Sequence, residues 1–326
     1  MIRITRAYCV ELDRTITISE ARREFLSLDP PIGKFNFLCS DEKCRAKGTR
    51  VTGVNYRESA REAIKFVTAH FRLQDEHQSD CEWVLPSVES EYIDDLLPGE
   101  KQDIAHARRT RKKLTDFIDI FDPRVDDQQQ KAERSLKNAQ SPDQGELEKN
   151  SIRAENSEIS DEASLTKTND LERLVETYLE AKSLLSYEDC RRLELRIVNS
   201  GKIRLTDYFW RLSHATLDTR NRVLYGGANL VKRYGLGFRF NFYDKINGCP
   251  VNLYIPTHTM MKYRHKKYIE SILGQAPNVR YFTVYALGQL EPVPNEKFIN
   301  LVVKDMRHLA IVLGPKKTGG PEKVFN

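Results

Sequence analysis

The spacing of apolar and polar positions divides the chain into stretches of different period. Near the start, Arg6 to Leu12 reads as a strand, followed by a short helix that opens at Ser19 and is stopped by Pro30-Pro31. Phe35 to Leu38 is a short apolar strand, and Arg50 to Tyr56 alternates weakly around Gly53 as a second. Ser59 stands where an N-cap would, and Ala60, Ala63, Ile64, Val67 and Phe71 behind it recur at helical spacing. A further helix spans Lys101 to Phe121. Its Ile104, Leu114, Phe117, Ile118 and Phe121 form a side to bury, so the ARRTRKK run within it reads as a solvated face before it reads as a phosphate grip.

Between residues 124 and 170 the pattern stops. The stretch has no aromatic residue and is dense in Gln, Ser, Asn, Glu and Lys, a composition that buries too little apolar area to offset the entropy of ordering. It is expected to be a disordered linker. Beyond it, Leu171 to Leu185 is an amphipathic helix, and Ser186 opens a shorter one. The period then changes to two over residues 222–231, 237–243, 251–255, 281–290 and 298–303, with Asn247-Gly248 among the turn signals. One helical segment, Thr257 to Leu273, falls between the third and fourth runs. The expected class is therefore α+β: a zinc-ribbon-containing domain over 1–123, a linker over 124–170, and a basic OB-like β-barrel over 171–326 with flanking helices.

Composition narrows the setting. The 326 residues are 40% hydrophobic and 30% charged, ordinary for a globular protein, and no apolar run approaches the ~20 residues that cross a bilayer. No apolar core of signal-peptide length follows Met1, so a cytoplasmic location with reduced thiols and no membrane partner is expected. The formal charge of +5 is unevenly held. Residues 171–326 carry 25 Lys and Arg against 14 Asp and Glu, residues 1–123 carry 20 against 22, and the linker 7 against 11.

The strongest chemical signal lies between Cys39 and Cys81. Cys39 and Cys44, in CSDEKC, are answered by His77 and Cys81 in AHFRLQDEHQSDC, with His70 as an alternative ligand. Thiolate with imidazole suits Zn²⁺, and four protein ligands make a structural site with no position for water. The polar loop between Cys39 and Cys44 can turn both thiolates to one point, and one helical turn would put His77 and Cys81 on one face. Buried free thiols are the competing use. Three of the six cysteines and two of the seven histidines in one short stretch favour the metal.

The pattern Cys-x4-Cys, then His-Phe, then His-x3-Cys resembles the zinc ribbon at the amino end of bacterial competence CoiA-like proteins, over about Phe35 to Trp83. Those relatives often carry another histidine where Leu73 stands, which weakens the case for His70. The resemblance implies a zinc module in a DNA-handling context. It also suggests the alternative of an adaptor that docks a protein partner in a mobile-element or phage-defence system.

In the basic half, Arg233, Arg239, Tyr263, Arg264, Lys266, Lys267 and Tyr268 interleave cations with aromatics, as single-stranded DNA or RNA would require. Alternatively, these aromatics fill the barrel. Catalytic motifs are not found: there is no Walker loop, Gly-x-Ser-x-Gly elbow or His-Glu-x-x-His, and Asp189, Glu194 and Lys202 lack the spacing of a nuclease core. Cys190 and Cys249 have no histidine partner in sequence, and Gly226-Gly227 reads as a bulge or barrel corner. A non-enzymatic, zinc-containing nucleic-acid binder is expected, with a divergent nuclease as the weaker alternative.

Overall fold

The computed structural model describes residues 4, 6–28, 33–57, 69–79, 81, 83, 110, 114, 117–124, 166–294 and 296–317. They form an α+β protein with three sheets and three apolar cores.

The first sheet holds the cysteine stretch. β1 (Arg6–Cys9) and β2 (Arg14–Thr17) are a hairpin and not one strand to Leu12, because Asp13 turns the chain at φ +50° and accepts the Tyr8 hydroxyl. α1 (Ile18–Ser27) starts one residue before the expected Ser19, with Thr17 as its N-cap. Thr17 Oγ1 accepts from Glu20 N at 3.2 Å while Glu20 accepts from Thr17 N at 2.8 Å, a reciprocal capping box. β3 (Phe37–Cys39), α2 (Glu42–Ala46), β4 (Arg50–Val54) and β5 (His70–Leu73) follow, giving an antiparallel sheet of order β2-β1-β3-β4-β5. Phe71, expected to end a helix, is instead in β5 opposite Gly53, and residues 59–68 of that expected helix lie outside the described residues. Phe25, Phe35, Phe37, Tyr56 and Phe71 fill the core in mostly edge-to-face contact, with the Tyr56 hydroxyl accepting from Phe35 N at 2.6 Å.

The second sheet draws on all three regions that composition delineates. β6 (Ile120–Phe121) lies parallel to both β7 (Lys167–Thr168) and β8 (Glu194–Ile197), and β9 (Gly201–Arg204) completes the order β7-β6-β8-β9. The predicted helix to Phe121 therefore ends early, residues 117–119 being irregular, and all of the ARRTRKK run except Thr110 lies outside the described residues. Likewise the expected linker gives way by Thr166, because β7 pairs with β6 and Asp170 caps the next helix, accepting from Glu172 N at 3.0 Å. That helix is α3 (Leu171–Leu184), and α4 (Tyr187–Arg192) starts at the expected Ser186 cap.

The third sheet corrects the barrel. After α5 (Leu205–Tyr208) and β10 (Phe209–Arg211), β11 (Val223–Tyr234), β12 (Gly237–Ile246) and β13 (Cys249–Ile255) form an antiparallel meander. Asn247 and Gly248, at φ +50° and +79°, make the expected β12–β13 turn. Two helices, α6 (Thr257–Lys262) and α7 (Lys266–Leu273), replace the single one expected. β14 (Phe282–Leu287), β15 (Gln289–Pro292), β16 (Ile299–Val302) and β17 (Leu309–Leu313) complete the order β15-β16-β13-β12-β11-β14-β17, with β10 beside β11. β16 joins β13 in parallel and β17 adds outside β14, so β15 and β17 are opposite edges. No ladder joins them among the described residues, and the sheet is open. Glu291 and Pro292 blunt the short β15 edge. Gly226-Gly227 is no corner either: both pair in register with β14, and the irregularity in β11 falls between Leu230 and Lys232.

Strand parity gives this sheet two different faces. Leu224, Phe238, Phe240, Leu253, Phe282 and Leu301 point under α6 and α7. On the opposite face Val223, Tyr285 and Ala310 pack with Tyr178 of α3, and the positions further along β11, β12 and β13 are polar or exposed.

Candidate functional site

Four of the five proposed metal ligands converge. Cys39 ends β3, Cys44 sits in α2, and His77 and Cys81 lie on the turn after β5; one donor atom from each falls within 4.8 Å of the others. Cys39 Sγ is 3.7 Å from Cys81 Sγ, and His77 Nδ1 is 3.3 Å from the same sulfur. Tetrahedral bonds of ~2.3 Å put sulfur ligands about 3.8 Å apart, whereas a disulfide would need ~2.05 Å. The donor set and its spacing fit a zinc ion, which Cys39, Cys44, His77 and Cys81 would hold as a structural cross-link between β3, α2 and the turn. The His77–Cys81 segment is not the helical turn expected: Cys81 N donates to Gln78 O at 3.0 Å in an irregular turn.

Local chemistry supports the cluster. Asp41 caps α2, accepting from Cys44 N at 3.0 Å, and so aims Cys44 back at Cys39. Gln78 N donates to Cys44 Sγ at 3.2 Å, which ties the turn after β5 to α2. Without a cation the site resists charge. Burial pushes the Cys39 and Cys81 thiols above their ordinary value and His77 below its own, so a nearby cation would favour the thiolate form of these two cysteines. All three cysteines are fully buried. His70 is not part of the cluster; it stands in β5 opposite Val54.

The seven residues expected to capture nucleic acid fall on different surfaces. Arg239 lies on the open face of the large sheet, its guanidinium 5.4 Å from the Phe298 ring centre. Arg233 pairs with Phe238 in register, which puts it on the helix side, and it bonds Glu270 of α7 at 3.2 Å. Tyr263, Arg264, Lys266, Lys267 and Tyr268 belong to the α6–α7 layer, where α1 packs against α7. Tyr268 donates its hydroxyl to Glu172 at 2.5 Å, and Tyr263 packs on the core, so neither ring lies open for stacking.

That layer is an ionic junction between the cysteine-containing module and the rest of the protein. Arg23 of α1, 7% exposed, is bonded to Asp170 and lies 3.1 Å from Glu172. Glu24, 4% exposed, meets Arg14 at 3.0 Å and Arg264 at 2.8 Å, while Ser27 Oγ is 3.1 Å from His265 Nδ1. The break between α6 and α7 has its reason here, since it lets Arg264 and His265 face α1. Burial, with Glu172 close by, raises the Glu176 carboxyl to about 8; burial, with Arg23 and Arg264, lowers His265 to about 3. Sequence reasoning missed this junction, because its members are separated by more than a hundred residues.

Of the catalytic candidates, Glu194 and Lys202 are diagonal neighbours on one face of the β8–β9 hairpin. Glu194 pairs with Arg204 at an exposed position of β8, Lys202 is opposite Arg196, and Asp189 lies in α4, 3.8 Å from Arg192. Cys190 donates to Ala181 O at 3.3 Å and Cys249 opens β13. No protein-family model, curated protein or solved structure matches the chain. No helix among the described residues is long and apolar enough to cross a membrane.

Proposed function

We propose that this chain is a zinc-scaffolded nucleic-acid-binding protein without catalytic activity. The observation that carries the metal part is the Cys3His cluster, whose four donors lie within 4.8 Å of one another with all three cysteines buried. Support for the nucleic-acid part comes from charge. The half beyond residue 170 holds all the cationic surplus, 25 basic against 14 acidic residues, and such a surplus draws phosphates by counterion release. The metal module braces the larger half through the Arg23 and Glu24 junction.

Elemental analysis tests the first part, with about one zinc per chain expected for a four-ligand site. Fluorescence anisotropy of labelled single-stranded DNA and RNA against the full chain tests the second. Affinity should fall log-linearly with salt; absence of binding at low salt would remove this reading.

A further inference from the structure

On the open face of the large sheet, four asparagines stand side by side. Asn229 of β11 pairs directly with Asn241 of β12, Asn241 with Asn252 of β13, and Asn252 with Asn300 of β16. Each is flanked by apolar residues that point to the opposite face: Ala228-Asn-Leu, Phe240-Asn-Phe, Val251-Asn-Leu and Ile299-Asn-Leu. Asparagine is depleted in strands, and a buried amide needs partners. Asn252 is only 3% exposed, yet its Oδ1 has no hydrogen-bond partner, and neither has Oδ1 of Asn241. An amide row left unsatisfied at its centre does not serve stability, and conflicts of this kind mark sites.

The surroundings indicate the ligand. At one end Tyr243, 53% exposed, donates its hydroxyl to Asn229 Oδ1 at 2.7 Å. Past it a cavity of about 340 Å³ opens over Gly226 and Gly227, between Tyr243 and Tyr281, with Lys182 at its rim beside Arg211, which is paired with Asp244 at 3.5 Å. A Cβ on Gly227 would come within 3.1 Å of the Tyr243 ring, so the bare backbone keeps this floor open. On the other side of the row lie Arg239, the exposed Tyr254, and Tyr234 with Lys232 Nζ 5.1 Å from its ring centre. Amides offer a donor and an acceptor to base edges, aromatic faces stack bases, and cations track phosphates.

We propose that a single strand of nucleic acid lies across this face, its bases read from the exposed Asn229 end of the asparagine row and one base held in the Tyr243–Tyr281 cavity. The proposal rests on the nucleic-acid reading above and places the contact on the sheet in place of the α6–α7 helices. The test is fluorescence anisotropy of labelled homopolymeric DNA and RNA oligomers with the full, zinc-loaded chain. Tyr243→Ala and Tyr254→Ala should each weaken binding roughly tenfold. Asn229→Ala and Asn241→Ala should flatten the differences between homopolymers with the salt slope unchanged, whereas Lys232→Gln should lower that slope by ~0.7. Lys202→Gln, an exposed cation on the second sheet, should leave base preference intact. Melting curves confirm that each variant is folded, and Tyr243→Phe keeps the ring should the alanine variant not fold. If the wild type binds but the sheet variants bind as tightly and with the same base preference, the face is not the site. Competition by polyglutamate as strong as that by oligonucleotide would show a surface for acidic polymers and overturn the proposal, and a wild type that binds nothing would remove the nucleic-acid reading with it.

Discussion

The cysteine module and the large sheet solve the same problem in opposite ways. The module spans few residues, and its core is one aromatic cluster beside four convergent cysteine and histidine donors. The large sheet buries one face under α6 and α7 and part of the other under α3, so its stability is distributed over many side chains. A small core needs a staple, whereas a large one can spend positions on polar residues and still fold. This difference sets where damage is all-or-none and where it is graded.

The sharpest break of the comparison is at the metal. Cys39→Ser or Cys81→Ser should lose bound zinc and unfold the module, because structural zinc sites contribute folding free energy of ~10–16 kcal/mol in small domains. Elemental analysis with near-ultraviolet circular dichroism reads this; an unchanged metal content in both variants would sink the site. In the large sheet, Phe240→Ala, fully buried, should cost about 3–5 kcal/mol and lower the melting midpoint without abolishing the fold.

The junction between the two regions should respond at an intermediate level. Arg23→Ala leaves Asp170 and Glu172 without their cation in a largely buried setting, a loss of about 3–5 kcal/mol if the module stays docked. Limited proteolysis should then release the module. A variant as resistant as the wild type would show that the pair does not brace it.

Smaller effects should appear with pH. The Glu176 carboxyl is raised from 4.5 to about 8, so the stability it contributes is complete below about pH 4.5 and is lost as pH rises through about 8. Glu176→Gln should melt progressively above the wild type as pH rises from 5 to 9, with no gap near pH 4. His265 has the reverse sign. Lowered from 6.5 to about 3, it contributes stability that is present above about pH 6.5 and lost as pH falls towards 3, a loss His265→Gln should remove. Parallel melting curves for variant and wild type across pH would contradict either assignment.

What the sequence discloses follows the same division. The Cys3His cluster is legible because its members lie within 43 positions, Cys39 to Cys81, and the donor types alone restrict their use. The turn at Asn247-Gly248 and the Ser186 cap are legible because the cause is local. The barrel was misread because β17 and the parallel β13–β16 pairing leave no mark in local periodicity. Tyr263 and Tyr268 looked like stacking residues among lysines, but the carboxylates and core that occupy them come from distant parts of the chain. The asparagine row had a visible signal, one Asn inside each of four apolar runs, which only strand register turns into a line.

The parallel pair β6–β7 has a practical consequence. Asp119 N and Ile120 N donate to Thr166 O at 2.9 and 3.1 Å, and Asp122 N donates to Thr168 O at 2.9 Å, so the chain leaves this sheet at residue 124 and is back beside the same strand by residue 166. A cut anywhere within 125–165 would yield two polypeptides whose meeting strands are already adjacent. The protein is thus a candidate for fragment complementation: residues 1–124 and 166–326, expressed as separate polypeptides, would meet along this parallel strand pair, and their co-purification reads the association.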